Sequence, residues 1–574
     1  DTPNSSASGL GYNLSPADLV NSGPYATNNI ISENSAGISQ LLSIGANQIN
    51  VTEPEKAQLT VSTTLRNNDP NANEVVLRFR GDPTDITDCT IEWGDGTSTS
   101  YYNNTSNLRQ NVSHTYATPG IYKIRISGDV FFNWGPGGIG GSDPIDLTWN
   151  RNLISIDNWG SNVNWALAQS FYNAINNDVK AFDTPNFLSN TIYADPRSTF
   201  FGNTKMINAN DSISKWDMSS RSSISYMFYG CNAFNGSVSN WTLPSTLADS
   251  SYAFYNCYSF NQPVQDWGIS LSNASNMFRF ARSFNQDLSN LTFNWSAYTY
   301  TNRMLDGAKA FNNGGANWTI PSAIGGINGI FTNCPNFEGN GLSAWTFTGN
   351  PWIGSLFNNT NGLTEDVTGW TIAPSYMAGT FSGANAAVLN VDFSGWDLSN
   401  VTSFSNIFAS ANLPNIILDS NTSSLTVMSS AFFGSTMGNQ SWIANLDTSG
   451  VTAFDRCFQS SNINLDLGDY DISSATNVFN FLRSASSMST SNVTSTLTKF
   501  AIKVYNGDGN TGINANNFAN PSTFDNSQTS DTGGTAFPWP AGSGWSNAGD
   551  AFDWLSDAEG GNWTGVTKGL TRIN

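Results

Sequence analysis

The sequence predicts a mainly β protein in which a small domain of half-buried strands is followed by a solenoid of about thirteen units, each ~26 residues long. Residues 75–80 and 122–126 alternate in period two, the pattern of strands with one buried face. Beyond residue 150, a Phe or Leu recurs at steps of 23 to 30 residues. A unit of this length cannot bury its aromatic side chains alone, so the recurrence predicts that each unit stacks on its neighbours.

This prediction is based on two sets of apolar residues that recur once per unit, here called the first and the second ladder. The recurring residues of the first are Phe171, Phe201, Phe228, Phe254, Phe278, Leu305, Phe331, Phe357, Phe381, Phe408, Phe433, Phe458 and Phe481. A Trp upstream of most of these residues forms the second ladder. The side chains expected to hold the fold together are Trp216, Phe228, Trp241, Phe254, Trp267, Phe278, Phe331, Phe357, Trp396 and Phe408.

The changes of pattern divide the chain into five segments. These are an N-terminal arm (1–58), a strand domain (59–130), a Gly/Pro linker (131–150), the repeats (151–490) and a C-terminal cap (491–574). The arm is rich in Asn and Ser, and we expect it to be held by the rest of the chain or by a neighbouring molecule. In the cap, Phe552, Leu555 and Ala558 have helical spacing. Because the sequence begins at Asp1 without a Met or a signal-like segment, we expect a processed or trimmed form.

The strand domain contains two short motifs in a fixed order. Residues 93–97 read WGDGT, in which Asp95 and Gly96 favour a turn with positive φ, and residues 114–120 read HTYATPG. These motifs closely resemble those of the PKD domain. The resemblance implies an immunoglobulin-like β-sandwich that serves as a spacer or recognition module without catalysis.

The repeats also contain two characteristic sequence motifs. Residues 396–401 read WDLSNV, and residues 277–288 read MFRFARSFNQDL. These segments resemble the BspA-like leucine-rich repeats of bacterial and phage surface proteins, over about 340 residues. The resemblance implies a leucine-rich-repeat-type solenoid, displayed on a cell or virion surface.

The charge balance argues against two classes of partner. The chain has 23 Lys and Arg residues against 43 Asp and Glu residues, a net charge of −20. This charge repels nucleic-acid phosphates and anionic lipid headgroups, so we expect neither nucleic acid nor membrane surfaces as partners. No apolar run approaches the ~18 residues of a membrane span, so membrane insertion is not expected either.

The five cysteines and the single histidine favour structural roles. Cys231, Cys257 and Cys334 occupy a position that is Ala in other units, which favours buried thiols. A disulfide between Cys231 and Cys257 on adjacent units, or a metal site, remains an alternative. His114 lies in the PKD-like motif, which favours a structural residue over a catalytic one.

Two further candidate sites are weak. Asn506, Asp508 and Asn510 have the spacing of a calcium loop, but Thr511 and Asn517 replace the Gly and Glu that such a loop needs, so a plain turn is favoured. A pair of carboxylates could hydrolyse glycosides. However, the Asp residues near the unit boundaries are explained by Asx turns.

These observations predict a non-enzymatic protein without cofactor, displayed outside the cell on a cell or virion surface. Its expected partners are other copies or neighbouring structural proteins of an assembly, and a cell-surface glycan or protein. The alternatives are a phage virion component, such as a capsid decoration or tail fibre, and, less favoured, an extracellular enzyme acting on polysaccharides.

Overall fold

The structure is a computed structural model. It describes residues 43–44, 47–48, 55–65, 73–80, 87–103, 109–129, 152–161, 163–165, 168, 170–187, 195–207, 211–264, 267–293, 301–313, 318–320, 327–364, 367, 369–385, 390–393, 395–418, 421–515, 518–519, 522–557, 560–567 and 570–573. Most of the predicted arm and all of the predicted linker lie outside these residues. The chain divides into two compact units, unit 1 (residues 1–221 and 231–242) and unit 2 (residues 222–230 and 243–574).

Unit 1 is built from short strands around one larger sheet. Its elements are β1 Ser43–Ile44, β2 Asn47–Gln48, β3 Ala57–Ser62, β4 Glu74–Arg80, β5 Thr87–Glu92, β6 Ser98–Asn103, β7 Arg109–Thr115, β8 Ile121–Asp129, β9 Leu153–Asn158, β10 Asn164–Trp165, β11 Asp178–Val179, β12 Asn186–Phe187 and the 3-10 helix Ser212–Lys215. Six strands form a sheet in the order β11-β9-β3-β8-β5-β6. The pairs in it are antiparallel except β9–β11, which is parallel. The strands β4 and β7 form a separate antiparallel pair.

The WGDGT motif of unit 1 forms a closed turn. Asp95 accepts a hydrogen bond from the Thr97 backbone N–H at 3.0 Å, and its Oδ2 lies 2.7 Å from Nε2 of His114. The bond from the Thr97 side chain, with these contacts, lowers the pKa of Asp95 to about 2. The Tyr116 hydroxyl donates to the carbonyl of the buried Trp93 at 2.8 Å. His114 therefore stabilises the turn, in keeping with the structural role that the sequence favours for it.

Unit 2 contains shorter strands and the two α-helices of the described chain. Its elements are β13 Thr246–Leu247, β14 Ser270–Leu271, β15 Thr292–Phe293, β16 Thr319–Ile320, β17 Thr346–Phe347, β18 Asn390–Asp392, β19 Asn415–Ile417, β20 Ser522–Asp525, β21 Leu570–Ile573, α1 Thr490–Asn506, α2 Ala548–Ser556 and the 3-10 helices Leu342–Ala344 and Ser441–Asn445. The strand pairs are parallel. Between them, single parallel bridges join residues about one repeat apart, for example Val427 and Ala453.

The predicted fold, a PKD-like sandwich followed by a leucine-rich-repeat-type solenoid of about thirteen units, is wrong. The described β-structure is a mixture of small sheets, mostly of two strands, and the described residues form no closed solenoid. The strand domain is not a separate sandwich either, because β9 and β11, from beyond residue 150, complete its larger sheet. A mainly β chain is compatible with the structure.

Left-handed backbone positions account for the short strands. In unit 2, the first-ladder residues other than Phe433 and Phe481 lie at the centre of a tight segment, here called a turn segment, with a positive-φ residue two positions before them and another two positions after them. The last-named two are each displaced by one residue, because the equivalent segments centre on Phe432 and Leu482. Asn276 and Phe280, with φ of 56° and 60°, flank Phe278 in this way. A strand needs extended backbone, so no strand can continue through these segments.

The side chains of both ladders are nevertheless buried in the protein interior. All ten residues that the sequence singled out are buried, with relative exposures of 5% or less. In unit 2, the ring of Phe278 stacks on Phe254 at 5.6 Å and on Phe284 at 4.2 Å between centroids. At two places where two Phe residues are adjacent, the buried residue is one position earlier than the sequence predicts. Phe200 and Phe432 are buried there, whereas Phe201 and Phe433 are only half-buried.

All five cysteines are buried free thiols, so the favoured interpretation is confirmed. Within unit 1, Sγ of Cys231 donates to the Phe200 carbonyl at 3.0 Å, and within unit 2, Sγ of Cys257 donates to the Phe228 carbonyl at 2.9 Å. Burial raises the pKa of the Cys231 thiol far above its usual value. Such thiols pack as small apolar side chains and are poor nucleophiles.

Replacing Cys231 and Cys257 together by Ala is expected to cost about 1 kcal/mol or less per site, because Ala occupies the equivalent position in neighbouring turn segments and the lost S–H bonds are weak. The free energy of local opening, measured by hydrogen exchange in residues 224–260, checks this expectation. A loss of several kcal/mol would contradict it.

Helix α1 packs on the last turn segments through an ion cluster. Its Lys499 Nζ lies 3.0 Å from Oδ2 of Asp466, 3.2 Å from Oδ1 of Asp469 and 3.5 Å from Oδ2 of Asp531. Ser489 caps the N-terminus of α1 by accepting from the Asn492 backbone N–H. The cluster therefore links α1 to the segment that precedes it, through Asp466 and Asp469, and to the segment that follows it, through Asp531.

Candidate functional site

The candidate calcium loop is the end of a helix. Asn506 is the last residue of α1, and Gly507 adopts the left-handed conformation of a C-cap, with φ of 86°. The Asn510 side-chain amide donates to the Ala475 carbonyl at 2.8 Å. Among the described residues, no group of three or more His, Cys, Asp or Glu side chains is placed to hold a metal ion. The three candidate ligands are therefore divided between the last residue of α1 and the turn that follows it.

A row of half-buried tyrosines marks a different region, at the first turn segments of unit 2. The rings of Tyr226 and Tyr252 stack with centroids 4.6 Å apart, and those of Tyr229 and Tyr255 stack at 4.5 Å. Tyr252 and Tyr255 also contact each other at 5.5 Å. The backbone bond from Tyr226 N–H to the Ser251 carbonyl, 2.9 Å long, holds the two segments side by side. The tyrosines therefore form a connected cluster on adjacent segments.

Several side chains in this region occupy unfavourable backbone conformations. The left-handed positions of the turn segments in unit 2 are mostly Gly, Asn or Ser, which tolerate positive φ. The exceptions are Tyr226, Tyr252, Phe280, Arg303 and Arg456, with φ between 53° and 60°. Four of the five lie in four consecutive segments. A bulky side chain there costs about 1–2 kcal/mol, so local backbone preference does not explain the choice of residue.

Arginines lie against the aromatic rings of the same segments. The guanidinium carbon of Arg279 lies 4.7 Å from the ring centroid of Phe280 and 5.8 Å from that of Tyr255. Its Nε is 2.9 Å from Oδ2 of the buried Asp306. The guanidinium carbon of Arg282 lies 4.2 Å from the ring centroid of Tyr258. Each arginine is thus held against an aromatic face, which restricts its rotamers.

Three cations of this region are exposed and have no acidic partner among the described residues. They are Arg282, Arg303 and Lys309. The Ala310 backbone N–H donates to the Arg282 carbonyl at 3.0 Å, which places Lys309 on the segment next to Arg282. In a chain with a net charge of −20, exposed cations without an acidic partner contrast with the overall composition.

Two exposed aromatic side chains follow beyond the intervening segment of Phe331. Trp352 and Tyr376 are 42% and 39% exposed, and their ring centroids lie 5.6 Å apart. The Tyr376 ring covers Gly354, where an added Cβ would lie 2.4 Å from Cε1 of the tyrosine. Only glycine permits this close approach.

We call the whole set the aromatic–basic surface. Its residues are Tyr226, Tyr229, Tyr252, Tyr255, Tyr258, Arg279, Phe280, Arg282, Arg303, Lys309, Trp352 and Tyr376. Neighbouring backbone bonds connect its segments, such as the bonds from Arg303 N–H to the Asn328 carbonyl and from Ile327 N–H to the Trp352 carbonyl. Sequence reasoning missed this surface. Its available signal was the appearance of Tyr, Phe and Arg at repeat positions that are otherwise Gly, Asn or Ser.

The described helices include none that is long and apolar enough to cross a membrane. Comparison with curated proteins and with solved structures found no match to the chain. A family model described as "Mycoplasma protein of unknown function, DUF285" matches five overlapping stretches, residues 148–267, 194–318, 245–345, 317–420 and 411–507. These stretches together cover residues 148–507, which is more than half of the 574 residues. The chain therefore belongs to the DUF285 family.

Proposed function

We propose that this protein is a non-enzymatic binding protein displayed on a cell or virion surface, and that it holds its partner through the aromatic–basic surface. The observation that carries the proposal is the placement of Tyr226, Tyr252, Phe280 and Arg303 in left-handed positions. Side chains kept at a cost in backbone conformation, at positions where most other segments carry Gly, Asn or Ser, are typical of functional sites. Surface display and membership of an extracellular assembly rest on the BspA-like and PKD-like resemblances.

The composition of the surface supports binding rather than chemistry. Tyr, Trp and Arg are the residues that contribute most to binding energy in interfaces. Stacked tyrosines lose little conformational entropy when a partner covers them, because their rings are already held by each other. The exposed pair Trp352 and Tyr376 adds an apolar patch of the kind that marks a recognition site.

The test is the double substitution Tyr226→Asn with Tyr252→Asn. Asn is the residue at the same position of the next segment, Asn276, so the relieved backbone conformation is expected to offset the lost ring stacking. We expect unchanged thermal stability and about tenfold weaker binding. Binding of the full chain to immobilised neutral and acidic polysaccharides and to intact bacterial cells is the measurement.

Arg456→Asn is the matched control, because Arg456 has the same left-handed conformation, with φ of 56°, but lies outside the aromatic–basic surface. Its binding is expected to equal that of the unaltered chain. The proposal is contradicted if the unaltered chain binds no member of the panel, or if the double tyrosine variant binds as tightly as the control.

A further inference from the structure

We infer that the partner is an acidic polysaccharide, one that carries carboxylate or sulfate groups along an extended chain. The inference rests on the proposed function and names the ligand class of the same surface. It is drawn from the unneutralised cations of the aromatic–basic surface, from the way the rings hold them, and from the exposed aromatic side chains beside them.

The charges supply the first argument. Arg282, Arg303 and Lys309 are exposed, and no described carboxylate lies within ion-pair distance of them. By contrast, Arg279 is matched within the protein by Asp306. In a chain with 43 acidic and 23 basic residues, three neighbouring cations without a partner are complementary to an anionic ligand.

The geometry of Arg282 supplies the second argument. Its guanidinium lies 4.2 Å above the Tyr258 ring, so one face of the group is covered by the ring. The N–H groups at the edge of the plane are left to donate, and their fork matches the two oxygens of a carboxylate or sulfate. Stacking also fixes the orientation of the guanidinium before the ligand binds, which lowers the conformational entropy lost on binding.

The arrangement along the chain supplies the third argument. Arg282 and Lys309 lie on paired segments, and such pairing separates segments by roughly 4.8 Å. Trp352 and Tyr376 follow on later segments with exposed ring surface. Cations on two paired segments and exposed rings on later segments of the same unit suit a polymer that combines charged groups with apolar sugar faces.

Nucleic acid also combines anions with stacking groups, but it fits this protein less well. It carries one charge on every nucleotide, and the net charge of −20 opposes so dense an array of phosphates. A uronic acid polymer keeps several neutral hydroxyl groups on each sugar. Such groups suit a surface whose solubility depends on Asn, Ser and Thr rather than on charge.

The experiment measures the binding of the full chain and of three variants to three ligands. The ligands are an immobilised polyuronate, the same polymer after reduction of its carboxyl groups to alcohols, and a single-stranded oligonucleotide. We expect the unaltered chain to bind the polyuronate at least about tenfold more tightly than the reduced polymer, with affinity falling as salt is raised. The double variant Arg282→Gln with Arg303→Asn should lose about tenfold in affinity for the polyuronate alone.

The control is again Arg456→Asn, which removes one positive charge at an equivalent backbone position, and it is expected to bind as the unaltered chain does. Equal binding of both polymers, lost in the double tyrosine variant, would overturn the acidic ligand and leave the proposed function standing. Tighter binding of a single-stranded oligonucleotide than of the polyuronate would overturn the inference in favour of nucleic acid. No effect of the tyrosine variant on any ligand would instead overturn the proposed function.

Discussion

Phe278→Ala is expected to destabilise its part of unit 2 by about 3–5 kcal/mol, through lost burial and the cavity left behind. The Phe278 side chain is fully buried and stacks on two neighbouring rings, Phe254 and Phe284. Those rings are themselves held in stacked segments, so they cannot collapse into the space. Native-state hydrogen exchange of residues 276–311 measures the local free energy of opening.

The control for this change is Phe182→Ala in unit 1. Phe182 is 51% exposed, so the same truncation there removes little buried surface and is expected to cost less than about 0.5 kcal/mol. Similar losses at Phe182 and Phe278 would show that the Phe ladder does not form the core of unit 2.

Gly94→Ala is expected to destabilise the sheet of unit 1 by about 2–5 kcal/mol. Gly94 has a φ of 84°, which costs an L-residue about 1–2 kcal/mol. An added Cβ would also lie 2.4 Å from the backbone oxygen of Lys123 in β8, which cannot move without disturbing the sheet. Overpacking of this kind adds about 1–3 kcal/mol. Hydrogen exchange of the amides in β5 and β8 is the measurement.

Gly96→Ala separates the two contributions. Gly96 has a similar φ of 93°, but an added Cβ there meets nothing within 4 Å. We expect a loss of about 1–2 kcal/mol from backbone conformation alone. If Gly94→Ala costs no more than Gly96→Ala, the close approach of the WGDGT turn to β8 does not contribute to stability.

Little of the candidate site could be predicted from the sequence. Tyr226 and Tyr252 are 26 positions apart, and Arg303 is farther still, so the contact between the two tyrosines and the placement of Arg303 depend on how segments pair. None of these residues belongs to the recurring Phe and Trp positions that the repeat pattern singles out. What distinguishes them is the positive φ at each, and local preference alone would have argued against that conformation for a bulky side chain.

The strength and the limit of the solenoid prediction have the same origin. Recurrence of Phe and Trp identifies side chains that must leave water, because burial of large apolar groups depends on residue type at each position. It does not say how the backbone between them runs. Both leucine-rich strands and tight left-handed turns can present an aromatic side chain inward once per unit, and the chain uses the turns.

By itself the sequence determined which side chains form the interior, such as Phe278 and Trp396, and the glycine turn at Gly96. Each of these follows from the chemistry of a residue in its local pattern. For Cys257 the sequence favoured a free thiol but left a disulfide open, and the structure decided between them. Only the tertiary structure decided the small separate sheets, the one-residue register at Phe200, and the aromatic–basic surface. These depend on backbone hydrogen bonds between segments about one repeat apart, which can hold residues such as Arg303 in conformations that they do not prefer.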